Sequence, residues 1–358
     1  MSRRRWLLAG LLGLLLAISI ASPVRADPAG PTDYLSEVVS VEPSTDTIGT
    51  AIVGGDSFFD LTVVEGTEVF VIGYEGEDYL WFRPDGSIWE NRNSRATYLN
   101  RDRYNDEAIE IPPSAGRDAE PDWHQVGSDG HYAWHDHRAH WMQQSRPFGA
   151  APGDQILEAV IPLVVDGDEV EVTVISTWQP AASPVPMVLG FVVGVAVAAG
   201  AFLLRRAGRA PLTAVAPVAV LALVVGVWQF RSLPPETDPR LIWWVLPAIA
   251  VVSAAVGLVA ERRFGRFVGD AALLIVGVEL AVWGFAKRDG FGAAIIPTDA
   301  PGWLDRFATA LALAAGVGAA VGALWWLFAV PQSTGTSTRE SAVSGSRAAT
   351  DSLPPVHP

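Results

Sequence analysis

The sequence predicts a multi-domain chain, in which an all-β, sandwich-like outer domain precedes a five-helix transmembrane domain. Three observations lead there: a leader of secretory type, about 150 residues of short β-type runs, and five apolar stretches of near-bilayer length.

The leader comes first. Arg3, Arg4 and Arg5 form a basic start and 6–20 is apolar, while Val24-Arg25-Ala26 places small residues before a cleavage site. This is the build of a signal peptide over 1–26, with the exported chain starting near Asp27. The chain has no cysteine, so an exported domain must hold together by burial and hydrogen bonding. Thiolate metal sites are excluded with it.

From Tyr34 to Trp178 the pattern is mainly β, within an outer domain of 27–180. Runs at 57–63, 67–73, 78–83, 87–91, 156–164 and 169–176 are rich in β-branched and aromatic residues. Pro84-Asp85-Gly86 reads as a tight turn, as does Val165-Asp166-Gly167-Asp168. Val170, Val172 and Val174 alternate with Glu171 and Thr173, the period of a half-buried strand. About 150 residues suffice for one sandwich with its own core. The middle, 92–146, breaks this rhythm with prolines, Asn and Asp, and long irregular segments in compact domains are often functional.

The helical domain covers 186–330, with spans near 187–204, 212–230, 241–260, 267–286 and 307–330. Arg205-Arg206-Ala207-Gly208-Arg209 follows the first span and Glu261-Arg262-Arg263-Phe264-Gly265-Arg266 the third. The positive-inside rule puts both in the cytoplasm. The loops 231–240 and 287–306 mix charges and belong outside, with the β domain. Asp270 and Glu279 interrupt the fourth span; nine residues apart, they point to opposite helix faces. Asp270 is expected to reach water at the cytoplasmic edge. Glu279 is deep and has no intramembrane basic partner, and transport through the bundle is the weaker reading of it. The tail 331–358, rich in Ser, Thr, Ala, Gly and Pro, is expected to be disordered and cytoplasmic.

Charge narrows the partners. The chain carries −14 overall, but 27–180 holds 29 acidic residues against 8 arginines and no lysine. Such a domain disfavours nucleic acid or anionic lipid and concentrates cations. The acidity is equally sufficient as a solubility device.

The densest chemistry is a run of histidines. Five of the six in the chain, His124, His131, His135, His137 and His140, fall within seventeen residues, and Met142 follows. Imidazole and thioether are ligands for late transition metals. In extended chain His135 and His137 share a face, as do His140 and Met142. The odd spacing between the pairs calls for a bulge or turn at Arg138-Ala139 to bring all four together. The leading metal set is His135, His137, His140 and Met142, with His124, His131 and Asp136 as further candidates. Imidazoles with a thioether suit copper, whereas histidines with Asp122 or Asp136 suit zinc. On the opposite reading the histidines only supply hydrogen bonds that position a loop, with Asp136 and Arg138 as an ion pair. Trp134 and Trp141 would wall the site or serve as core aromatics.

Enzymatic signatures are missing: no Gly-x-Ser-x-Gly elbow, no glycine-rich phosphate loop and no His-Glu-x-x-His helix. Gly55-Asp56-Ser57 reads as a turn and nothing more. A hydrolase built on the histidines is a lesser alternative.

Ala96-Thr97-Tyr98-Leu99-Asn100-Arg101-Asp102-Arg103-Tyr104 and the string Trp134-His135-Asp136-His137-Arg138-Ala139-His140-Trp141-Met142 resemble an actinobacterial family of exported, membrane-anchored proteins. The resemblance covers most of 34–180. It implies a signal peptide, a β-rich outer domain and a helical anchor in the cell envelope, and it implies no activity. A looser likeness is to exported copper-handling β-sandwich proteins. Against it, the spans hold no histidine and only Met187 among methionines, which argues against a copper path across the bilayer. The function expected from these readings is surface capture or buffering of a transition metal, copper first. The competing class is a structural or interaction protein that docks on another envelope component.

Overall fold

A computed structural model describes residues 29–104, 109–143 and 145–329. The expected signal peptide and tail lie outside these described residues. Ten strands form the N-terminal part: β1 (Tyr34–Glu42), β2 (Ile48–Val53), β3 (Phe58–Val63), β4 (Val69–Ile72), β5 (Asp78–Phe82), β6 (Ile88–Asn91), β7 (Trp123–Gly127), β8 (His131–Trp134), β9 (Gln155–Val165) and β10 (Asp168–Trp178). They make two antiparallel sheets, one in the order β1-β10-β9-β4-β5-β6-β7 and one in the order β2-β3-β8.

One apolar core serves both sheets. Phe59, Leu61 and Trp134 from the small sheet meet Val71, Leu80, Ile161, Leu163 and Val172 from the large one. The alternation at Val170, Val172 and Val174 puts all three inward, with Glu169 and Glu171 exposed. The β9–β10 hairpin turns on Asp166 and Gly167, both at positive φ (50° and 94°), as a two-residue loop matched to strand twist requires.

Within 92–146, expected to be irregular, the chain forms β7 and β8, which edge different sheets. Gly130 makes the crossing between them. Its N–H donates to Gly86 and its carbonyl accepts from Val63. Its φ is 72°, and a Cβ there would lie 2.7 Å from the Val63 oxygen, so the position favours glycine.

The C-terminal part is a bundle of α1 (Val185–Arg206), α2 (Leu212–Arg231), α3 (Ile242–Phe264), α4 (Arg266–Ala286) and α5 (Gly302–Leu324), the last continued by a π turn at Trp325–Ala329. All five are long and apolar enough to cross a membrane. Small residues set the spacing. A Cβ on Gly277 of α4 would lie 2.6 Å from the Ala320 nitrogen of α5, and one on Gly316 would lie 2.6 Å from the Ala281 nitrogen.

Two sequence readings need correction here. The fifth helix begins at Gly302, five residues before the expected 307, because Asp305 and Arg306 are buried in its first turn. Asp305 pairs with Lys287, and Arg306 donates to the carbonyls of Gly290, Ala293 and Ala294. Asp270 does not reach water. It is 3% exposed and accepts from Arg205 through both oxygens at 2.6 Å, so a residue counted with the basic loop neutralises it. Glu279 is also buried. No hydrogen bond or ion pair reaches it among the described residues.

The two parts touch. Thr32 and Ile295 exchange backbone hydrogen bonds of 3.0 and 2.9 Å, and Ala294 N–H donates to Asp33. The Ala133 N–H at the end of β8 donates to Glu236 in the α2–α3 loop at 2.9 Å. The β part thus sits at the end of the bundle that carries the loops 232–241 and 287–301. The basic loops lie at the other end.

Candidate metal centre

β8 carries the chain out of the core at Trp134, whose ring packs 5.0 Å from Phe59. The next residues form a 3-10 turn, His137–Ala139, capped by Asp136 accepting from the Arg138 N–H. A turn thus stands at Arg138-Ala139, where one was expected to gather His135, His137, His140 and Met142. It brings three imidazoles together: one nitrogen from each of His135, His137 and His140 lies within 4.8 Å of the others. The rings of His135 and His140 are 4.4 Å apart between centroids, and His137 is 5.7 and 5.8 Å from them.

Each ring is held by a main-chain carbonyl. His135 Nδ1 bonds the Ser57 oxygen at 2.7 Å, His140 Nδ1 the Trp141 oxygen at 3.0 Å, and His137 Nε2 the Asp102 oxygen at 2.8 Å. A carbonyl only accepts, so each bonded nitrogen donates its N–H, and in a neutral ring the other nitrogen keeps a lone pair. The Nε2 atoms of His135 and His140 are buried with no hydrogen-bond partner. Leaving such an acceptor dry costs about 1–3 kcal/mol. Imidazole ligands of metals characteristically donate their second N–H to a carbonyl or carboxylate, as all three do here.

Both buried rings are neutral. Burial pushes His135 down to about 3, helped by the nearby Arg103 charge, and pushes His140 down to about 2, helped by His135 and Arg103. Neutral imidazole is the form that binds metal. In a tetrahedral site with bonds near 2.0 Å the nitrogens stand roughly 3.4 Å apart, so the rings would draw together on binding.

Asp136 is committed elsewhere. It is fully buried and accepts from Arg138 Nε and Nη2 at 2.9 and 2.8 Å and from Trp134 Nε1 at 3.0 Å. Burial alone would raise its carboxyl, but Arg138 overrides this and holds it at about 2. The pair is the loop-positioning device of the second sequence reading, and it coexists with the imidazole cluster. Tyr74 adds a second brace, its hydroxyl accepting from the His137 N–H at 2.9 Å.

His124 and His131 stand apart from the cluster. His124 pairs with Asp122 at 3.2 Å on the exposed β7 edge. His131 lies 3.0 Å from Asp60 and 3.4 Å from Glu236, at the seam with the helical part. Met142 is half-buried two residues past His140. Trp134 belongs to the core, whereas Trp141 donates to the Ser145 oxygen.

Sequence reasoning passed over the supports. Ser57, dismissed as part of a turn, supplies the carbonyl for His135. The neighbouring Asp56 is buried and ion-paired with Arg103 at 2.6 Å. Asp102 and Arg103 lie inside the 96–104 stretch quoted for the family resemblance, which was the available signal. A cleft of about 630 Å³ opens beside His135 between the β part and the α2–α3 loop.

Comparison with known proteins returns nothing: no protein family, no curated protein and no solved structure matches this chain.

Proposed function

We propose that this is an integral membrane protein of the cell envelope, in an actinobacterial setting, whose outer β domain captures or buffers a transition-metal ion through His135, His137 and His140. The observation that carries the reading is the pair of buried, unpartnered Nε2 atoms on His135 and His140 beside a third imidazole. A loop merely braced by histidines would satisfy both nitrogens of each ring, since each dry acceptor costs about 1–3 kcal/mol.

An all-nitrogen set favours copper(II) over zinc at equal geometry, by the general affinity order of divalent ions. Zinc with three histidines and water is the second choice. Three protein ligands leave a position open for water or an exchanging ligand, which suits capture and release. The five apolar helices anchor the domain, and the basic loops, at the end of the bundle away from it, support its placement outside.

Electron paramagnetic resonance of the detergent-solubilised chain with one equivalent of copper(II) tests the metal assignment. A nitrogen-coordinated spectrum that disappears in His135→Ala/His140→Ala supports it. A spectrum of free or carboxylate-bound copper contradicts it.

A further inference from the structure

The cleft beside His135 lies between β6, β8 and the Pro235–Thr237 turn, and His135 forms part of its wall. Four acidic residues line it, Glu90, Asp102, Glu236 and Asp238, of which Asp102 accepts from the Tyr104 N–H, against a single cation, Arg101. That guanidinium lies over the Tyr98 ring, 5.0 Å from its centre.

The carboxylates are differently employed. Glu236 accepts from Ala133 and neighbours His131. Asp238 is exposed at the mouth. The Glu90 carboxylate accepts no hydrogen bond among the described residues. Burial raises its carboxyl, while Arg101, Arg92 and His124 act in the opposite sense. His135 ends the series, 6% exposed, with Nε2 unpartnered. The volume of about 630 Å³ leaves room for an ion still carrying its water shell.

We propose that this cleft is the route by which a hydrated divalent metal cation passes from solvent to the imidazoles, drawn in by Glu90, Glu236 and Asp238. The proposal rests on the metal reading above and adds the path. Charged walls of one sign in a low-dielectric cleft raise local counter-ion concentration and association rates by about 10–10³. No bond to the carboxylates has to persist, because the imidazoles hold the ion once its water is shed.

The test is the association rate of copper(II) or zinc(II) with the full chain in detergent, followed by stopped-flow at low ionic strength. The comparison is Glu90→Gln/Asp238→Asn against Glu169→Gln/Glu171→Gln, an equal charge change on the exposed face of β10. The cleft variant is expected to associate about tenfold more slowly and with a weaker salt dependence, the control less than twofold. Binding stoichiometry should stay unchanged in both. Asp238→Asn alone is a fold-neutral check, because φ is 52° there and asparagine tolerates that region; it should slow association in the same direction. Equal rates in the cleft and control variants would overturn the route and leave the metal site standing. Absence of metal binding by the unmodified chain would overturn both.

Discussion

His135 and His140 lie with their rings 4.4 Å apart, each donating Nδ1–H to a backbone carbonyl and each keeping a buried Nε2 without a partner. The arrangement is costly without an ion and useful with one. His140→Leu should therefore leave the metal-free fold within about 1 kcal/mol, since it removes a dry acceptor along with one hydrogen bond. The same change should abolish the metal-dependent stabilisation, about 2.7 kcal/mol at a hundredfold excess over Kd, which is read as a rise in Tm. Differential scanning fluorimetry with and without metal reads both. A loss of several kcal/mol without metal would mark His140 as structural.

The second expectation concerns pH. Burial holds His135 at about 3 and His140 at about 2, whereas unfolded histidine titrates near 6.5. Between about pH 6.5 and 3 the unfolded chain binds more protons than the folded one, so stability falls as pH falls through this window. Each ring contributes up to about 1.4 kcal/mol per pH unit. Denaturation midpoints of the metal-free protein from pH 7 to 4 should drop more steeply than those of His135→Leu/His140→Leu. Parallel slopes would contradict the burial of neutral rings.

The third concerns Asp136. Its carboxylate neutralises Arg138, which also donates to the Ile72 carbonyl and covers the Tyr74 ring. Asp136→Ala leaves a buried guanidinium unpaired and should cost about 3–5 kcal/mol. Asp122→Ala, exposed just before β7, should cost less than about 0.5 kcal/mol. Chemical denaturation of the two variants checks the ranking.

The fourth concerns the seam. Glu236→Gln removes the charged acceptor for the Ala133 N–H and the carboxylate beside His131. Hydrogen exchange at Ala133 should quicken, while Leu61 in the neighbouring strand stays protected. Unchanged exchange at Ala133 would mean that β8 does not need its seat on the α2–α3 loop.

The fifth concerns topology. With no cysteine in the chain, Arg209→Cys and Asp299→Cys introduce unique labels on exposed loops at opposite ends of the bundle. In intact cells an impermeant thiol reagent should label position 299 and spare 209. The reverse pattern would place the β domain in the cytoplasm.

How far the sequence could be read follows from where each signal resides. The helices were legible because a bilayer-length apolar run has few alternatives. Two ends were misjudged: the start of α5, since Asp305 and Arg306 read as loop until their buried partners are seen, and the end of α3, which runs to Phe264 through residues read as a basic loop. The long strand β10 announced itself by alternation, and β9 by its β-branched run and the turn that follows it. β7 and β8 did not, being short edge strands with mixed burial. The imidazole cluster was visible as density, but its supports were not. The Ser57 and Asp102 carbonyls come from 78 and 35 residues away, and a main-chain oxygen leaves no mark on residue type. For the same reason His124 and His131 looked eligible until strand register sent them to the β7 edge and the seam.

The most direct measurement is the metal content and titration of the full chain in detergent, purified without a metal-binding tag and stripped of ions beforehand. One equivalent of copper or zinc, bound more tightly than micromolar and lost in His135→Ala/His137→Ala, is the expected result. A folded, unmodified chain that binds no ion at micromolar concentration would contradict the metal centre and leave the imidazole cluster as a structural brace.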